Sequence, residues 1–432
     1  MSLPLPRTDW WREFDSAELD RLEQAALANN RELRVAIARI AQANAQVRVA
    51  ESTLYPSLEI YAKREVEAPA QGIGLAKSRE EWSSLNRLQV GVRANYEADL
   101  WGKQGYAAES ALALALASVH QRDVVALTLT SDVAAAYLDL LSLGSRAAIA
   151  ERAALSRRKS LAAMQRRMRL GDATTQEVAQ FRVAAATAEA AFSLLVQQRE
   201  RAFNRLAILT GIAPAALRVD GAGLGAVGIP AVAPGLPSDL LCRRPDIRRA
   251  EAQLAAAQFD VRAVRAALLP SFSLTADTGF GARHLAALTN PASLFFLAAG
   301  TLAQSLFDGG RREAQLELAR ARHLELLEQY SGTLLTALRE IEDSLVAVRA
   351  TREQHRAHAE ASATARANWR MSERAFAAGA ADLVALLDAE QRSYASELAE
   401  DAARYDRMRA AIDLYKALGG GSRAGEVDPC AQ

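Results

Sequence analysis

The sequence predicts a mainly α-helical fold built from two internal repeats, each with a β-strand pair set among very long helices. Three observations carry that prediction. Alanine, the strongest helix former and small enough to let helices approach closely, supplies 94 of 432 residues, whereas aromatic residues make up only 6%. Four landmarks recur in the same order at a nearly constant offset. Apolar residues step at a heptad rhythm in the longest segments and, in two short ones, at period two.

The repeat comes first, because missing it would misread the fold. Ala50–Leu58 (AESTLYPSL) resembles Val264–Phe272 (VRAALLPSF) at an offset of 214. Leu100-Trp101-Gly102-Lys103 resembles Leu306-Phe307-Asp308-Gly309-Gly310-Arg311. Arg169-Leu170-Gly171-Asp172-Ala173 matches Ala377–Ala381, and Leu206–Gly211 matches Leu414–Gly419, both at 208. The chain therefore divides into an N-terminal segment 1–29, a first repeat 30–211, a linker 212–245 rich in Gly and Pro, a second repeat 246–421 and a tail 422–432.

Each repeat reads alike. A helix over about 30–54, and its counterpart over about 246–269, is stopped by proline. A strand pair follows, then a helical stretch over about 103–170 and about 311–378. A turn at Gly171 or Gly379 leads into a helix over about 172–209 or about 381–418, which ends at glycine. Ala126, Leu129, Val133, Ala136, Leu140 and Gly144 form a heptad seam in the first long helix. Leu324, Leu327, Leu334, Leu338, Ile341, Leu345 and Val348 form one in the second. At ~1.5 Å per residue such helices run to ~100 Å, beyond a compact bundle. The two shorter helices of a repeat nearly match the long one in length, so they can stack end to end beside it.

The strands carry alternation. Leu88, Val90, Val92, Ala94 and Tyr96 alternate with Gln89, Gly91, Arg93, Asn95 and Glu97. Phe272, Leu274, Ala276, Thr278 and Phe280 alternate with polar or small residues. Leu58, Ile60 and Ala62 make a weaker strand, and Leu294 to Leu306 starts apolar on both faces. About ten residues with one apolar and one polar face is the pattern of a membrane β-strand. Four strands cannot close a barrel, and open edges are forbidden in lipid, so several chains must share one.

Composition excludes other classes. With 52 basic and 51 acidic residues the chain lacks the basic excess of a nucleic-acid binder. Cys242 and Cys430 stand 188 positions apart and form neither a zinc motif nor a disulfide framework. The uncharged run Leu285–Phe307 is long enough for a membrane helix, but Asn290-Pro291 interrupts it. Gly223–Gly228 fits Gly-x-Gly-x-x-Gly without the strand–turn–helix context of a phosphate cradle. Ser156-Arg157-Arg158-Lys159 fits Ser-x-x-Lys without partner motifs. His355 and His358 read as a solvated helix face. No acid, base, nucleophile and metal set converges, so the chain reads as no enzyme, with no cofactor and no metal.

Gly235-Leu236-Pro237-Ser238-Asp239-Leu240-Leu241-Cys242-Arg243-Arg244-Pro245-Asp246-Ile247, followed by Ala250-Glu251, resembles the GLPSDLL…RRPDI…AE signature of the TolC-like outer-membrane efflux channels, in their OprM-like, NodT lipoprotein branch. Cys242 stands where Glu is common. Trp10-Trp11-Arg12-Glu13-Phe14 with Leu19, Phe307–Arg311, Leu387–Glu390 and Leu414–Gly421 support the resemblance, which covers roughly 10–421. That branch begins with a signal peptide and a lipid-modified cysteine; neither stands before Trp10 here, which implies a removed leader.

The resemblance implies a TolC-like α/β barrel in the outer membrane of a Gram-negative bacterium. A homotrimer with four strands from each copy would form the membrane barrel, and the helices would form a hollow periplasmic barrel with residues 1–29 and 212–245 in an equatorial belt. Its implied partners are a periplasmic adaptor (membrane fusion) protein, an inner-membrane RND-type transporter and outer-membrane lipid, with no nucleic acid. Its implied function is the exit duct of a tripartite multidrug efflux pump. The periplasmic gate falls on Asp382, Asp388, Gln391 and Arg392. Relatives carry Arg three positions after the Asp, where this chain has Gln391, so Arg392 lies one turn from Asp388. The adaptor-contacting tips fall on Arg169, Leu170, Gly171 and Asp172 and on Ala378, Gly379 and Ala380. Ducts for type I protein secretion or metal efflux, and a soluble coiled-coil scaffold, are the alternatives.

Overall fold

The computed structural model describes residues 9–67, 85–220, 223–230 and 243–420. Most of the linker signature, Gly235 to Cys242, and also Gly421 and Cys430, lie outside the described residues. A 3-10 turn at Trp10–Phe14 leads into α1 (Ala17–Asn29), α2 (Arg31–Ser52), β1 (Ser57–Glu67), β2 (Leu85–Ala98), α3 (Lys103–Arg169) and α4 (Thr175–Thr210). After the linker come α5 (Pro245–Ala266), β3 (Ser271–Ala282), β4 (Leu294–Ala303), α6 (Arg311–Ala377) and α7 (Leu383–Ala417).

The order helix, strand pair, long helix, helix occurs twice, with matching lengths. α2 and α5 have 22 residues each, α3 and α6 have 67 each, and α4 and α7 have 36 and 35. A helix of 67 residues runs ~100 Å at ~1.5 Å per residue. The two shorter helices of a repeat fall short of the long one by about ten residues, a larger difference than the sequence suggests, because both lose residues to capped ends.

Those ends are built the same way in both repeats. Gly171 and Gly379 close the long helices, and Gly211 and Gly419 the shorter ones, all at positive φ. At each, the amide after the glycine donates five residues back: Asp172 N to Arg167 O, Ala380 N to Ala375 O, Ile212 N to Ala207 O and Gly420 N to Tyr415 O. This bond satisfies carbonyls that the helix end would leave orphaned.

End-to-end stacking is also specific. Asn30 caps α2 through Leu33 N, and its Nδ2 donates to Leu209 O at 2.9 Å, in the last turn of α4. At the matching place in the second repeat, Arg244 stands before α5 and donates to Ala417 O at 3.0 Å, the last residue of α7. The lone Asn is replaced by a guanidinium that also holds Asp246 and Glu340, each at 2.7 Å.

The strands form one antiparallel sheet in the order β1-β2-β3-β4. Register puts Ile60 beside Val92, Val92 beside Thr278, and Thr278 beside Phe296; Val90 stands beside Phe280, and Phe280 beside Leu294. One face is therefore mainly apolar, interrupted by Thr278 and by Arg64 on β1, and it is exposed: Ile60 is 84% and Phe296 74% accessible. The opposite face carries Glu59, Lys63, Gln89, Arg93, Asn95 and Asp277. Gly91 lies opposite Gly279, where a Cβ on Gly279 would stand 2.2 Å from the Val90 carbonyl; the Tyr61 ring covers the gap. The interrupted run Leu285–Phe307 forms two 3-10 turns and β4, not a helix. β4 ends at Ala303, before Leu306, because Arg312 gathers the following turn through Asp308 at 2.9 Å and the Ser305 carbonyl.

The chain divides into two compact units, each drawing on both repeats. One comprises Ile40–Ser118 and Ala250–Tyr330 and holds the sheet; the other holds the chain up to Arg39, Val119–Arg249 and the chain from Ser331. In the second unit the first seam is a true core: Ala126, Leu129, Val133, Ala136 and Leu140 are buried with Trp10, Trp11, Phe14, Leu19 and Leu22. Burial of one such leucine contributes ~1.5–3 kcal/mol, so the N-terminal segment is integral to it. α3 holds an 18-residue window apolar enough to cross a membrane, which the pattern of its sequence does not announce, but 61% of it is buried inside the protein. The second seam differs. Ile341 is buried, and Leu345 and Val348 pack with Leu414 and Leu418, but Leu324, Leu327 and Leu338 are exposed.

Candidate functional site

The two interhelix tips are the α3–α4 turn and the α6–α7 turn. Each follows from a glycine stop and a capped restart. After Gly171, Thr174 caps α4: its Oγ1 accepts from Glu177 N at 3.2 Å, and the Glu177 carboxylate accepts from Thr174 N at 2.7 Å. This reciprocal box pulls the Glu177 carboxyl below its ordinary range, first through the Thr174 backbone donor. At the equivalent position of α7, Asp382 Oδ1 accepts from Ala385 N at 2.8 Å. Asp382 thus serves as an N-cap. Arg169, Leu170, Gly171 and Asp172 at the first tip, and Ala378, Gly379 and Ala380 at the second, are all exposed.

One turn along α7, Asp388 and Arg392 form the intrahelical pair that their spacing allows, at 2.8 Å with both side chains more than half exposed. An exposed pair of this type contributes ~0.3–0.5 kcal/mol. Gln391 faces a different helix, and its Oε1 accepts from Arg157 of α3 at 3.2 Å. The four predicted gate residues therefore fall into three separate arrangements: a helix cap, a surface pair and an interhelix contact.

Sequence reasoning misses the α3 side of that contact. Arg157 also donates to Leu387 O at 3.1 Å, so one guanidinium holds two consecutive turns of α7. Next to it Ser156 donates to the buried Glu390, and one turn away Arg152 pairs with Glu397 at 2.7 Å. Burial, reinforced by the Glu390 charge, pushes the Tyr394 hydroxyl up to about 12. Arg366 of α6 reaches Glu400 at 3.5 Å from the other side of α7. Farther along, Ser142 donates to Asp401 at 2.6 Å. The one visible signal is Arg152, Ser156 and Arg157, spaced one turn apart on an otherwise alanine-rich helix. The Ser-x-x-Lys decoy is thus part of a polar latch. His355, read from sequence as solvated, meets Arg407 at 3.3 Å, and burial followed by that charge lowers its pKa. The Gly-x-Gly-x-x-Gly segment forms a 3-10 turn at Leu224–Ala226, and Gly228 N donates to Phe14 O at 3.0 Å.

In the sheet unit, the polar face centres on Asp277. Its carboxylate accepts from the Tyr61 hydroxyl at 2.9 Å and from Arg93 at 3.0 Å, and Arg93 lies 4.5 Å over the Tyr61 ring. A charged face opposed to a mainly apolar one suits a sheet with water on one side and hydrocarbon on the other.

A model of the outer membrane efflux protein family matches residues 22–212 and again 236–420. Among curated proteins, the pyoverdine export outer membrane protein OpmQ of Pseudomonas aeruginosa is 36% identical over 95% of this chain and 87% of its own length. The outer membrane protein OprJ of the same species is 32% identical over 96% and 86%. Among solved structures, the outer-membrane channel OprN superposes with a TM-score of 0.85 at 28% identity, covering 97% of this chain and 95% of that one. With its strand-bearing repeats, its single sheet and these relatives over nearly its whole length, the chain belongs to the outer membrane efflux protein family.

Proposed function

We propose that the chain is the outer-membrane exit duct of a tripartite multidrug efflux pump in a Gram-negative bacterium. The observation that carries the reading is the four-stranded sheet with one exposed, mainly apolar face, one charged face and, among the described residues, two unpaired edges. In lipid such edges must be paired. Three copies joined β4 to β1 give a closed barrel with the Arg93–Asp277 face toward the water-filled interior. The second seam, open at Leu324 and Leu327, is then covered by a neighbouring copy. Residues 1–29 and 212–245 form the belt around the helices of the two repeats, 30–211 and 246–421. Transport through the duct is passive; a periplasmic adaptor and an inner-membrane RND-type transporter supply cargo and energy. Membership of the efflux family speaks against a soluble scaffold, and against a secretion duct the relatives' efflux names favour small cargo.

The periplasmic end is the gate in this reading. Asp388 and Arg392 line it, Asp382 holds the start of α7, and Gln391 with Arg157 latches α7 to α3. Asp388→Ala is expected to raise single-channel conductance of the purified protein in planar bilayers, since a ring of three carboxylates and their paired arginines leaves the narrowest part. Unchanged conductance would remove Asp388 from the gate. The exit-duct reading itself is tested by deleting the gene: efflux of a fluorescent dye such as ethidium must fall and return on complementation.

A further inference from the structure

The two helix tips are alike in backbone and opposite in charge. Residues 157–182 around the first tip carry seven cations and two anions; the equivalent residues 365–390 carry three cations and four anions. Many of the first tip's cations are not engaged by the protein. Arg157 and Arg158 are committed to Gln391 and Glu189, and Arg167 donates to Asp172 O at 3.3 Å. Lys159, Arg166, Arg169 and Arg182 are exposed and stand in no ion pair among the described residues. Of the two anions nearby, Glu177 is held in its capping box. Cations in the last turn of a helix are favoured by its macrodipole, which accounts for Arg166 and Arg169. That effect fades within one turn, so it does not account for Lys159, ten residues before the end of α3, or Arg182, seven residues into α4. The second tip has an apex of alanine and glycine flanked by exposed apolar side chains, Phe376 at 41% and Val384 at 67%; Leu170 at 77% and Val183 at 66% are exposed at the first tip too, so apolar exposure is common to both and the cations are what set the first apart.

We propose that the α3–α4 tip is an electrostatic docking surface for an acidic partner, read through Lys159, Arg166, Arg169 and Arg182, whereas the α6–α7 tip docks the same partner through apolar contact alone. This rests on the reading of the tips as the adaptor-facing end of the duct, and it specifies the chemistry the adaptor must present: carboxylates opposite one tip and small apolar residues opposite the other. The duplicated hairpins are then not interchangeable. Unpaired exposed charges act chiefly on encounter rate and on choice of partner, so their loss is felt as slower, less selective assembly.

The test uses the full-length chain in its source bacterium, with ethidium efflux as readout and the heat-sensitive oligomer on gels as control for folding. Arg166→Glu with Arg169→Glu, and separately Lys159→Glu with Arg182→Glu, are each expected to slow efflux by about tenfold or more. The second pair lies outside the helix end and so escapes the dipole. Arg166→Lys with Arg169→Lys keeps efflux near wild type. Arg370→Glu with Arg374→Glu at the second tip changes efflux less than about twofold. Suppressors of the first-tip reversals are expected to replace an acidic residue of the adaptor by a basic one. Unchanged efflux in both first-tip reversals with the oligomer intact, equal sensitivity of the two tips, or suppressors that leave adaptor charge unaltered would each overturn the proposal while leaving the duct reading in place. If the unmutated gene makes no difference to efflux, the duct reading fails and the docking proposal with it.

Discussion

Arg244 ties α5, α6 and α7 together through one guanidinium, whose side chain is 7% exposed. Removing it strands the carboxylate of Asp246. Burial alone would raise that carboxyl, but the Arg244 hydrogen bonds and charge outweigh burial and hold it below its usual range. Arg244→Ala is expected to cost ~1–3 kcal/mol, less than a fully buried pair because Asp246 and Glu340 are 26% and 43% exposed, seen as a lower temperature for loss of helical circular dichroism in detergent. Because the folded pKa of Asp246 is depressed, its stabilisation is complete above the ordinary carboxylate range and is lost as pH falls through the folded value. Glu23 behaves oppositely. It is fully buried on α1 and both carboxyl oxygens lack a normal hydrogen-bond partner. Burial pushes its pKa well up, the Ala134 backbone offsets part of this, and the Asp20 charge adds to it. A raised folded pKa means stability declines as pH rises above the unfolded carboxylate value toward the folded one. Glu23→Gln is therefore expected to raise thermal stability at pH 8 and leave it little changed at pH 4; equal effects at both pH values would refute a protonated Glu23. Neither residue is legible as special in the sequence beyond Arg244's place in a signature, because Arg244 also binds Glu340 and Ala417, 96 and 173 positions away, and Glu23 is buried by segments brought to it only on folding.

At the scale of elements, the glycine stops look equivalent in sequence and differ in what surrounds them. Gly171 has φ +85 and open space for 4 Å around the point where a Cβ would stand, so Gly171→Ala meets only the left-handed strain of ~1–2 kcal/mol. Gly211 has φ +68, and a Cβ there would stand 2.6 Å from the Asn29 carbonyl, at the junction that Asn30 bridges. Gly211→Ala is expected to destabilise far more than Gly171→Ala, measured by urea midpoint in detergent; equal effects would mean that the junction yields. The helices and their ends are readable in the sequence, since proline, glycine and capping residues act within a few positions. Seam burial is readable for α3 and not for α6, where cover depends on which other segment lies across the helix.

For the whole molecule, the apolar sheet face dictates behaviour that helices this polar would not suggest. Val92 and Asn95 are three residues apart on β2, on opposite faces. Val92→Arg is expected to cost ~2–4 kcal/mol of membrane insertion and to deplete the protein in outer-membrane fractions, whereas Asn95→Arg leaves its amount near wild type. Equal depletion would place both residues in the same environment. The same asymmetry predicts that extraction requires detergent.

The sequence by itself determined the helices, the four strands, the duplication and the family resemblance, because period, caps and turn residues are local and the repeat is a comparison of the chain with itself. The alternation of β2 and β3 even assigned the sheet's two faces before their register was known. The tertiary structure decided what individual polar residues do. Asp382 became a cap, Gln391 the acceptor of a latch from Arg157, and Arg244 the bridge that Asn30 makes in the other repeat. The cap is local, but the roles of Gln391 and Arg244 arise where helices far apart in the chain meet, and a hydrogen bond, unlike a helical period, leaves no trace in the spacing of residues that only folding brings together.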